Sequence, residues 1–304
     1  MHEHLTTRQV ADALKVSESS VKRWCDSGAI PTVRTAGGHR RIAIDGLVQF
    51  LESSNRRMFD PQAIGLLSKQ LAEGKSEEVE SDQDSKDAIQ RAFEKSIVDG
   101  DEENSRRALM RSYTAEPSFA SMADELIAKT FHHIGNRWAC DDVEVYQERR
   151  GCEICSKLIH ELRRLVPDPF GDAPIALGAA PTDDRYSLPG QLIELVLRES
   201  GWRATNLGTN LPFPSLLAAI RDHRPRLVWI TVSHIENRDR FLEEYAKFAK
   251  GLPTEVTLVV GGRALDDSIR PQLPFTAHCD NLKQLANLAN RLRGGRSEMK
   301  ASEN

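Results

Sequence analysis

Two short amphipathic helices are predicted at the N-terminus, and a tight turn at Lys15-Val16 separates them. Thr6 stands at the first helix start and Gln9 follows three residues later, which is the spacing of a capping box. The second helix is predicted over residues 18–27, and Gly28 stands just beyond it, where a left-handed backbone is favoured. Two short helices around a tight turn predict a helix-turn-helix, with the second as the candidate recognition helix.

A basic β-hairpin is predicted directly after these helices. Residues 30–35 and 39–44 are rich in β-branched side chains, and Gly37-Gly38 lies between them. Asp45 is expected to cap a third helix. The cationic residues of the hairpin are Arg34, His39, Arg40 and Arg41. Such a hairpin is typical of a wing, whose basic residues can meet DNA phosphates or enter a minor groove.

The stretch from Leu5 to Glu52 resembles the MerR and excisionase winged-helix family. Three motifs match in order and spacing: Thr-x-x-x-Val-Ala, Val-Ser-x-x-x-Val-x-x-Trp and Arg-Thr-x-Gly-Gly-His-Arg-Arg. The resemblance implies that the wing contacts DNA through Arg34, His39, Arg40 and Arg41. It also implies that the second helix contacts the major groove through Ser19, Ser20, Lys22 and Arg23. The alternative, a helix-turn-helix used only for protein contacts, leaves the cationic wing unexplained.

A single module of this kind buries only about 600–1,000 Å² on DNA. Binding to double-stranded DNA therefore predicts a homo-oligomer that spans repeated half-sites. The net charge of −4 shows that the whole chain lacks the basic signature of a nucleic-acid-binding protein, so the DNA footprint is local. No run of 18 apolar residues and no apolar leader occur, and the five cysteines are scattered; we expect a cytoplasmic protein without a membrane span.

Composition divides the chain into five segments. Residues 72–87 are polar and acidic, residues 88–166 read as helices without a strong strand signal, and β-rich runs begin near Pro174. The predicted segments are a winged helix (1–58), a helix with an acidic linker (59–87), a four-helix-bundle cap (88–168), an α/β domain (173–293) and a disordered tail (294–304).

Five short β-rich runs alternate with helices in the α/β segment. They cover residues 174–180, 202–206, 227–233, 256–262 and 275–278. This alternation predicts a doubly wound parallel sheet of the flavodoxin-like class. Ligands in such folds lie beyond the carboxyl ends of the strands, which here are residues 181–189, 207–212, 233–237 and 261–265.

The loops of this segment resemble those of the cobalamin-binding fold. The second, third and fourth loops match at Leu207-Gly208, Thr231-Val-Ser233 and Gly261-Gly262. The spacing Ile134-Gly135-x-x-Trp138, nine residues and then Glu148 resembles the cap of light-responsive, cobalamin-dependent repressors of carotenoid genes. The resemblance implies a cobalamin cofactor, a repressor and a photoreceptor, and covers the chain from Leu5 to about Arg293.

Three positions depart from that family. Its first loop carries Asp/Glu-x-His-x-x-Gly, whose His coordinates cobalt and whose acid orients that His. Here Asp184 keeps the acid, but Tyr186 replaces the His and Pro189 replaces the Gly. Arg149 replaces the second imidazole of the cap, and a guanidinium cannot coordinate a metal. Four alternatives stay open: cobalamin held without a protein ligand, a haem on Tyr186, an unexpected ligand such as His234, or none.

Three further expectations concern side chains near the cleft. The carboxylates of Asp183 and Asp184 are expected to be helix caps or to lie in solvated turns. Trp138 is expected either to stack on a planar ligand or to belong to a helical core. His132 and His133 are further candidate ligands.

Enzyme function is not expected. The sequence has no supported nucleophile–base pair, P-loop or GxGxxG motif, and no room for a substrate-binding barrel of about 250 residues. The first hypothesis is a transcriptional regulator, a repressor rather than an activator, whose ligand shifts an oligomeric equilibrium. The second is a ligand-independent regulator, or an architectural or excision protein, whose degenerate cobalamin fold serves oligomerisation. The third is a cobalamin carrier for a separate enzyme.

Overall fold

The computed structural model describes residues 4–34, 37–43, 46–47, 50–51, 54, 82–138, 143–166, 169 and 171–301. The chain forms two compact units. The first comprises Met1–Ala115 with His160–Pro167, and the second comprises Glu116–Ile159 with Asp168–Asn304. Among the helices in these ranges, none is both long and apolar enough to cross a lipid bilayer.

The N-terminal part contains the predicted helix pair and hairpin. Its elements are β1 (His4–Thr6), α1 (Thr7–Leu14), α2 (Glu18–Asp26), β2 (Thr32–Arg34) and β3 (Arg40–Ala43). The strands form an antiparallel sheet in the order β1-β3-β2. Strand β1 is not predicted from the sequence, because three residues are too few for a period-two pattern. It places Leu5 opposite Ile42, and both are fully buried.

Local hydrogen bonds explain where the two helices begin and turn. The Thr6 hydroxyl accepts the Gln9 N–H at 3.2 Å, and the Gln9 side chain accepts the Thr6 N–H at 2.9 Å, which confirms the capping box. Lys15 adopts a left-handed conformation with φ 52°, and the Ser17 hydroxyl accepts the Ser20 N–H at the start of α2. Gly28 has φ +76°, as its position after α2 predicts.

A small apolar core holds this domain together. Its fully buried members include Val10, Ala13, Val21, Ile30 and Leu47. Trp24 is half-buried and packs on Phe50, with ring centroids 4.9 Å apart. Residues 46, 47, 50, 51 and 54 are helical, in agreement with the predicted third helix. Its expected cap, Asp45, lies outside the described residues.

Helices fill the middle of the chain, as predicted. They are α3 (Asp82–Asp99), α4 (Glu102–Ala115), α5 (Phe119–Met122), a π-helical turn (Ala123–Ala128), α6 (Lys129–Trp138) and α7 (Val145–Arg163). Residues 82–87, expected in the acidic linker segment, form the first turns of α3. The rest of that segment up to residue 81 lies outside the described residues, and the proposed domain boundaries remain predictions.

The α/β part has a five-stranded parallel sheet with the order β5-β4-β6-β7-β8. The strands are β4 (Ile175–Ala179), β5 (Arg203–Asn206), β6 (Leu227–Thr231), β7 (Thr257–Gly261) and β8 (Ala277–His278). The helices are α8 (Leu188–Glu199), α9 (Phe213–His223), α10 (Arg238–Lys250) and α11 (Leu282–Ala301). The strand order reverses between β4 and β6, so the predicted flavodoxin-like, doubly wound class is confirmed.

Both faces of this sheet are covered by apolar side chains. One buried cluster contains Phe213, Tyr245 and Phe248, and the other contains Trp202 and Trp229. Gly178 in β4 makes room for the Trp229 ring, since a Cβ atom at Gly178 would lie 2.1 Å from Trp229 Cδ2. The packing therefore requires glycine in the centre of β4.

The C-terminal helix is longer than the sequence pattern predicts. Disorder is expected from residue 294, but α11 continues to Ala301. The prediction is wrong for residues 294–301 because Gly294 does not end the helix, and most of the residues after Gly295 have good helix propensity. Residues 302–304 lie outside the described part.

Candidate functional site

Helix α2 presents a polar face beside the wing. Ser19, Lys22 and Arg23 are exposed, whereas Ser20 is half-buried and bonds Ser17 through its hydroxyl at 2.9 Å. Lys22 pairs with Glu18 at 3.1 Å across one helical turn. Three of the four side chains expected at the major groove are therefore presented to solvent, and the fourth belongs to the helix cap.

Glu18 connects the two helices of the motif. Its carboxylate accepts the Thr7 hydroxyl at 2.7 Å, and this hydrogen bond, with a second from Lys22, lowers the pKa of Glu18. Thr7 opens α1 and Glu18 opens α2. The bond thus joins the first turns of α1 and α2 directly.

The wing arginines differ in their surroundings. Arg34 is 64% exposed, while Arg40 is 22% exposed and binds Asp26 at the end of α2. Arg40 Nη2 lies 2.6 Å from Asp26 Oδ1 and 2.9 Å from Oδ2, and Arg40 Nε lies 3.1 Å from Oδ1. Arg41 is half-buried and His39 is exposed. Arg40 thus links the wing to α2, and DNA contacts by these four residues remain a prediction.

A cavity of about 980 Å³ opens in the second unit at the carboxyl end of the parallel sheet. Its walls come from the loops after β4, β6 and β7 and from α6, α7, α8 and α11. The predicted cleft residues that line it are Glu148, Arg149, Tyr186, Thr231, Ser233, His234, Gly261 and Gly262. His132 lines it as well, so two of the histidines named as candidate ligands face one cavity.

Three of the described residues predicted for the cleft, Asp184, Leu207 and Gly208, are not among those that line the cavity. Leu207 and Gly208 follow β5, where backbone hydrogen bonds to Gly178 and Ala180 hold this loop against β4 and its loop. Leu207 packs against the aromatic cluster of Phe213 instead. Leu207 and Gly208 therefore do not line this cavity, and their role in ligand binding stays a prediction. Asp184 is buried behind the cleft wall, and the side chain of Trp138 lies outside the described part.

Asp184 organises two of the loops that form the cavity. Its carboxylate is 0% exposed and accepts the N–H groups of Tyr186 at 3.0 Å, Ser233 at 2.5 Å and His234 at 3.4 Å. Burial raises the pKa of Asp184, while these hydrogen bonds oppose the shift. The expectation of a cap or solvated turn is wrong for Asp184, because β6 and its loop close over the carboxylate.

Tyr186 and Arg263 stack at the mouth of the cavity. The guanidinium carbon of Arg263 lies 4.6 Å from the centroid of the Tyr186 ring, and Arg263 Nε donates to the Ser233 carbonyl at 3.1 Å. Arg263 was not singled out from the sequence. Its position directly after Gly261-Gly262, within a predicted strand-end loop, was the available signal.

Asp124 in the π-helical turn also faces the cavity. Its two carboxylate oxygens accept the Leu282 and Lys283 N–H groups, each at 2.9 Å, at the start of α11. Burial raises the pKa of Asp124. π-Helical turns are frequent at functional sites, and this one attaches the helical segment to the α/β part of the same unit.

Comparisons with known proteins agree with the two-part organisation. Residues 5–55 match a family model described as "Helix-turn-helix domain". Over 80 residues the chain is 36% identical to "Putative antitoxin VapB50" of Mycobacterium tuberculosis (strain ATCC 25618 / H37Rv). That match covers 24% of this chain and spans 61% of the length of the relative.

The chain is also similar to solved structures. The monomethylamine corrinoid protein of Methanosarcina barkeri superposes with a TM-score of 0.58 at 13% identity, over 68% of this chain and 99% of that one. A cobalamin-binding protein of Desulfitobacterium hafniense DCB-2 gives a TM-score of 0.36 at 16% identity, over 66% of this chain and 96% of that one. The first similarity shows a shared fold. The chain is thus a multidomain protein with a helix-turn-helix and a fold like that of a corrinoid protein.

Proposed function

We propose that this chain is a DNA-binding transcriptional repressor whose second unit binds a small ligand and sets the oligomeric state. The observation that carries the proposal is the exposed polar face of α2 beside a basic wing, held together by Asp26 and Arg40. A helix of this size fits the major groove, and wing cations fit phosphates. The match of residues 5–55 to a helix-turn-helix domain supports the same conclusion.

The cavity supports ligand sensing. It lies where the strand order reverses between β4 and β6, which is where ligands bind in doubly wound folds. Its volume of about 980 Å³ is at the upper end of small-molecule sites. A ligand that binds one oligomeric state more tightly than another would shift the equilibrium between them. One winged helix has a small footprint, so this equilibrium would control DNA affinity.

Cobalamin fits the cavity in part. The small loop residues Ser233, Gly261 and Gly262 line it, in keeping with close approach of a large ligand to the backbone. The ring of Tyr186 is covered on one side by Arg263, and neither Tyr186 nor Arg149 supplies an imidazole. When bound, cobalamin would supply a light-absorbing cobalt centre. The chain would hold it through the cavity walls, so we favour the ligand itself over light as the signal.

A binding role is favoured over an enzymatic one. Cys152 is the thiol of α7 that lines the cavity, and burial, with Glu148 and Glu153 nearby, raises the pKa of its thiol to about 12. A thiol with this pKa stays protonated near neutral pH and is a poor nucleophile. The raised pKa therefore argues against Cys152 as a nucleophile, and the proposal takes the cavity as a binding site.

Binding of the full-length protein to fluorescently labelled duplex DNA, measured over a range of salt concentrations, tests the regulator proposal. Replacing Lys22 and Arg23 by Ala should weaken binding and flatten the slope of log K against log salt by about one to two. Lys250→Ala, which removes an exposed cation from α10, should leave both unchanged. If wild-type protein ignores duplex DNA at low salt, or if the two variants behave alike, the regulator proposal is wrong.

A second candidate is a corrinoid carrier for a separate enzyme, favoured by the fold shared with a corrinoid protein. A visible absorption titration with cobalamin, followed by DNA binding in the same sample, separates the two. A regulator should change its DNA affinity or its size-exclusion profile when the ligand binds. A carrier should bind cobalamin and leave both unchanged.

A further inference from the structure

The cavity mouth holds one arginine in a fixed orientation. Arg263 stacks on Tyr186 with 4.6 Å between the guanidinium carbon and the ring centroid, and its Nε donates to the Ser233 carbonyl at 3.1 Å. Both Arg263 and Tyr186 line the cavity. A cation–π stack and one hydrogen bond together remove much of the rotational freedom of an arginine side chain.

The two groups that hold Arg263 are themselves fixed by one buried carboxylate. Asp184 accepts the backbone N–H of Tyr186 and that of Ser233, so the ring and the carbonyl that contact Arg263 are tied together. Gly262 has φ +113°, and a Cβ atom there would lie 2.3 Å from the Val232 carbonyl oxygen. Only glycine turns the chain here and directs Arg263 towards Tyr186 and Ser233.

The Nη groups of Arg263 have no protein acceptor among the residues that the structure describes. The guanidinium carbon lies over the Tyr186 ring and the Ser233 carbonyl accepts the Nε–H, so the Nη1 and Nη2 donors remain. Two such donors in one plane match the oxygens of a phosphate or carboxylate. Six acidic residues line the cavity: Asp124, Glu148, Glu153, Asp183, Glu236 and Asp280. Asp183 pairs with Arg240 at 3.5 Å, Asp280 lies 3.9 Å from Arg270, and Asp124 accepts the N–H groups of Leu282 and Lys283.

We propose that Arg263, positioned by Tyr186, receives an oxyanion of the cleft ligand, either a phosphate or a carboxylate group. This proposal about Arg263 depends on the proposed function in one respect, namely that the ligand binds in the cavity. It also explains why a tyrosine stands at position 186. An aromatic ring that holds an anion-binding arginine stands where the resembled family has a metal-coordinating imidazole.

Thermal unfolding of the full-length chain tests the anion site. Inorganic pyrophosphate and succinate, each at about 5 mM, serve as the phosphate and carboxylate probes, with sodium chloride at matched ionic strength as the reference. Binding to the folded state should raise Tm by about 2–4 °C for the probe that carries the correct oxyanion. Arg263→Gln should abolish the rise.

Three variants separate positioning from nonspecific effects. Arg221→Gln, on the exposed face of α9 and outside the cavity, should keep the full probe-dependent rise. Tyr186→Phe keeps the ring and should keep the rise, whereas Tyr186→Ala should reduce it. No rise with either probe, or an equal rise in Arg263→Gln, would overturn the proposal.

DNA binding in the same samples keeps the two proposals apart. If the probe raises Tm in an Arg263-dependent way but the protein does not bind duplex DNA, the anion site is supported and the regulator proposal is wrong. If the protein binds DNA but neither probe raises Tm, the regulator proposal is supported and the anion site is wrong.

Discussion

Asp26, the last residue of α2, accepts a two-pronged hydrogen bond from Arg40 at the start of strand β3, with Arg40 Nη2 2.6 Å from Oδ1 and 2.9 Å from Oδ2. Arg34 on the paired strand lies 3.5 Å from the same carboxylate. The pair is partly exposed, so its contribution to stability is about 0–1 kcal/mol. Its larger effect is geometric, because it sets where the wing cations lie relative to the candidate recognition helix.

Removing the charge of Asp26 should strengthen nonspecific DNA binding. In Asp26→Asn, the Arg40 guanidinium loses its anionic partner and a negative charge disappears beside the DNA-facing surface. Affinity for random duplex should rise, and the slope of log K against log salt should steepen by about one. Fluorescence anisotropy over a range of salt concentrations measures both. Asp222→Asn, an exposed change on α9, is the control; a slope equal to that of the control would show that Asp26 does not restrain the wing.

Asp184→Asn should destabilise the second unit at neutral pH. Asparagine offers one carbonyl oxygen in place of two carboxylate oxygens, and these accept Tyr186 on one side and Ser233 with His234 on the other. At least one buried N–H then lacks its acceptor, at a cost of about 1–3 kcal/mol in the free energy of unfolding. Urea unfolding measures this. Asp183→Asn loses only the Arg240 pair and should cost about 0–1 kcal/mol; equal losses would contradict the role of Asp184.

The stability difference between wild type and Asp184→Asn should also depend on pH. Burial raises the pKa of Asp184, so the folded state takes up this proton more readily than the unfolded state. Stability from this group is therefore fully present below its ordinary pKa and is lost as pH rises through the folded-state pKa. The unfolding free energy of wild type minus that of Asp184→Asn should grow as pH falls from about 7 towards 4. If this difference in unfolding free energy shrinks as pH falls, the pKa of Asp184 is not raised in the folded state.

Gly178→Ala should destabilise the sheet by overpacking. The added Cβ would lie 2.1 Å from Cδ2 of Trp229, which fills the space above β4. Strain of this kind typically costs about 1–3 kcal/mol. Urea unfolding gives the cost, and tryptophan fluorescence should report a displaced Trp229. Gly294→Ala, in the open part of α11, should instead add about 0.5–1 kcal/mol of stability. A neutral Gly178→Ala would mean that Trp229 can move without penalty.

Local patterns in the amino-acid sequence were enough to predict most of the individual helices and strands. The capping box at Thr6, the turn at Lys15 and the order of strands and helices from Pro174 onward follow from near neighbours and from hydrophobic periodicity. These signals act over a few residues, so they can be read without knowing what packs against what. They fail where a segment is very short, as in β1, or where a glycine is tolerated in a helix, as at Gly294.

Which side chains meet at the sites could be seen only once the chain was folded in three dimensions. Asp26 reaches Arg40 across 14 residues, and Asp184 reaches Ser233 across 49. The second contact depends on β4 and β6 being neighbours in the sheet, which periodicity does not specify. The same strand order places Leu207 and Gly208 away from the cavity and brings Arg263 to Tyr186. Contacts between residues this far apart in sequence depend on the order of the strands in the sheet, and a local sequence pattern carries no information about that order.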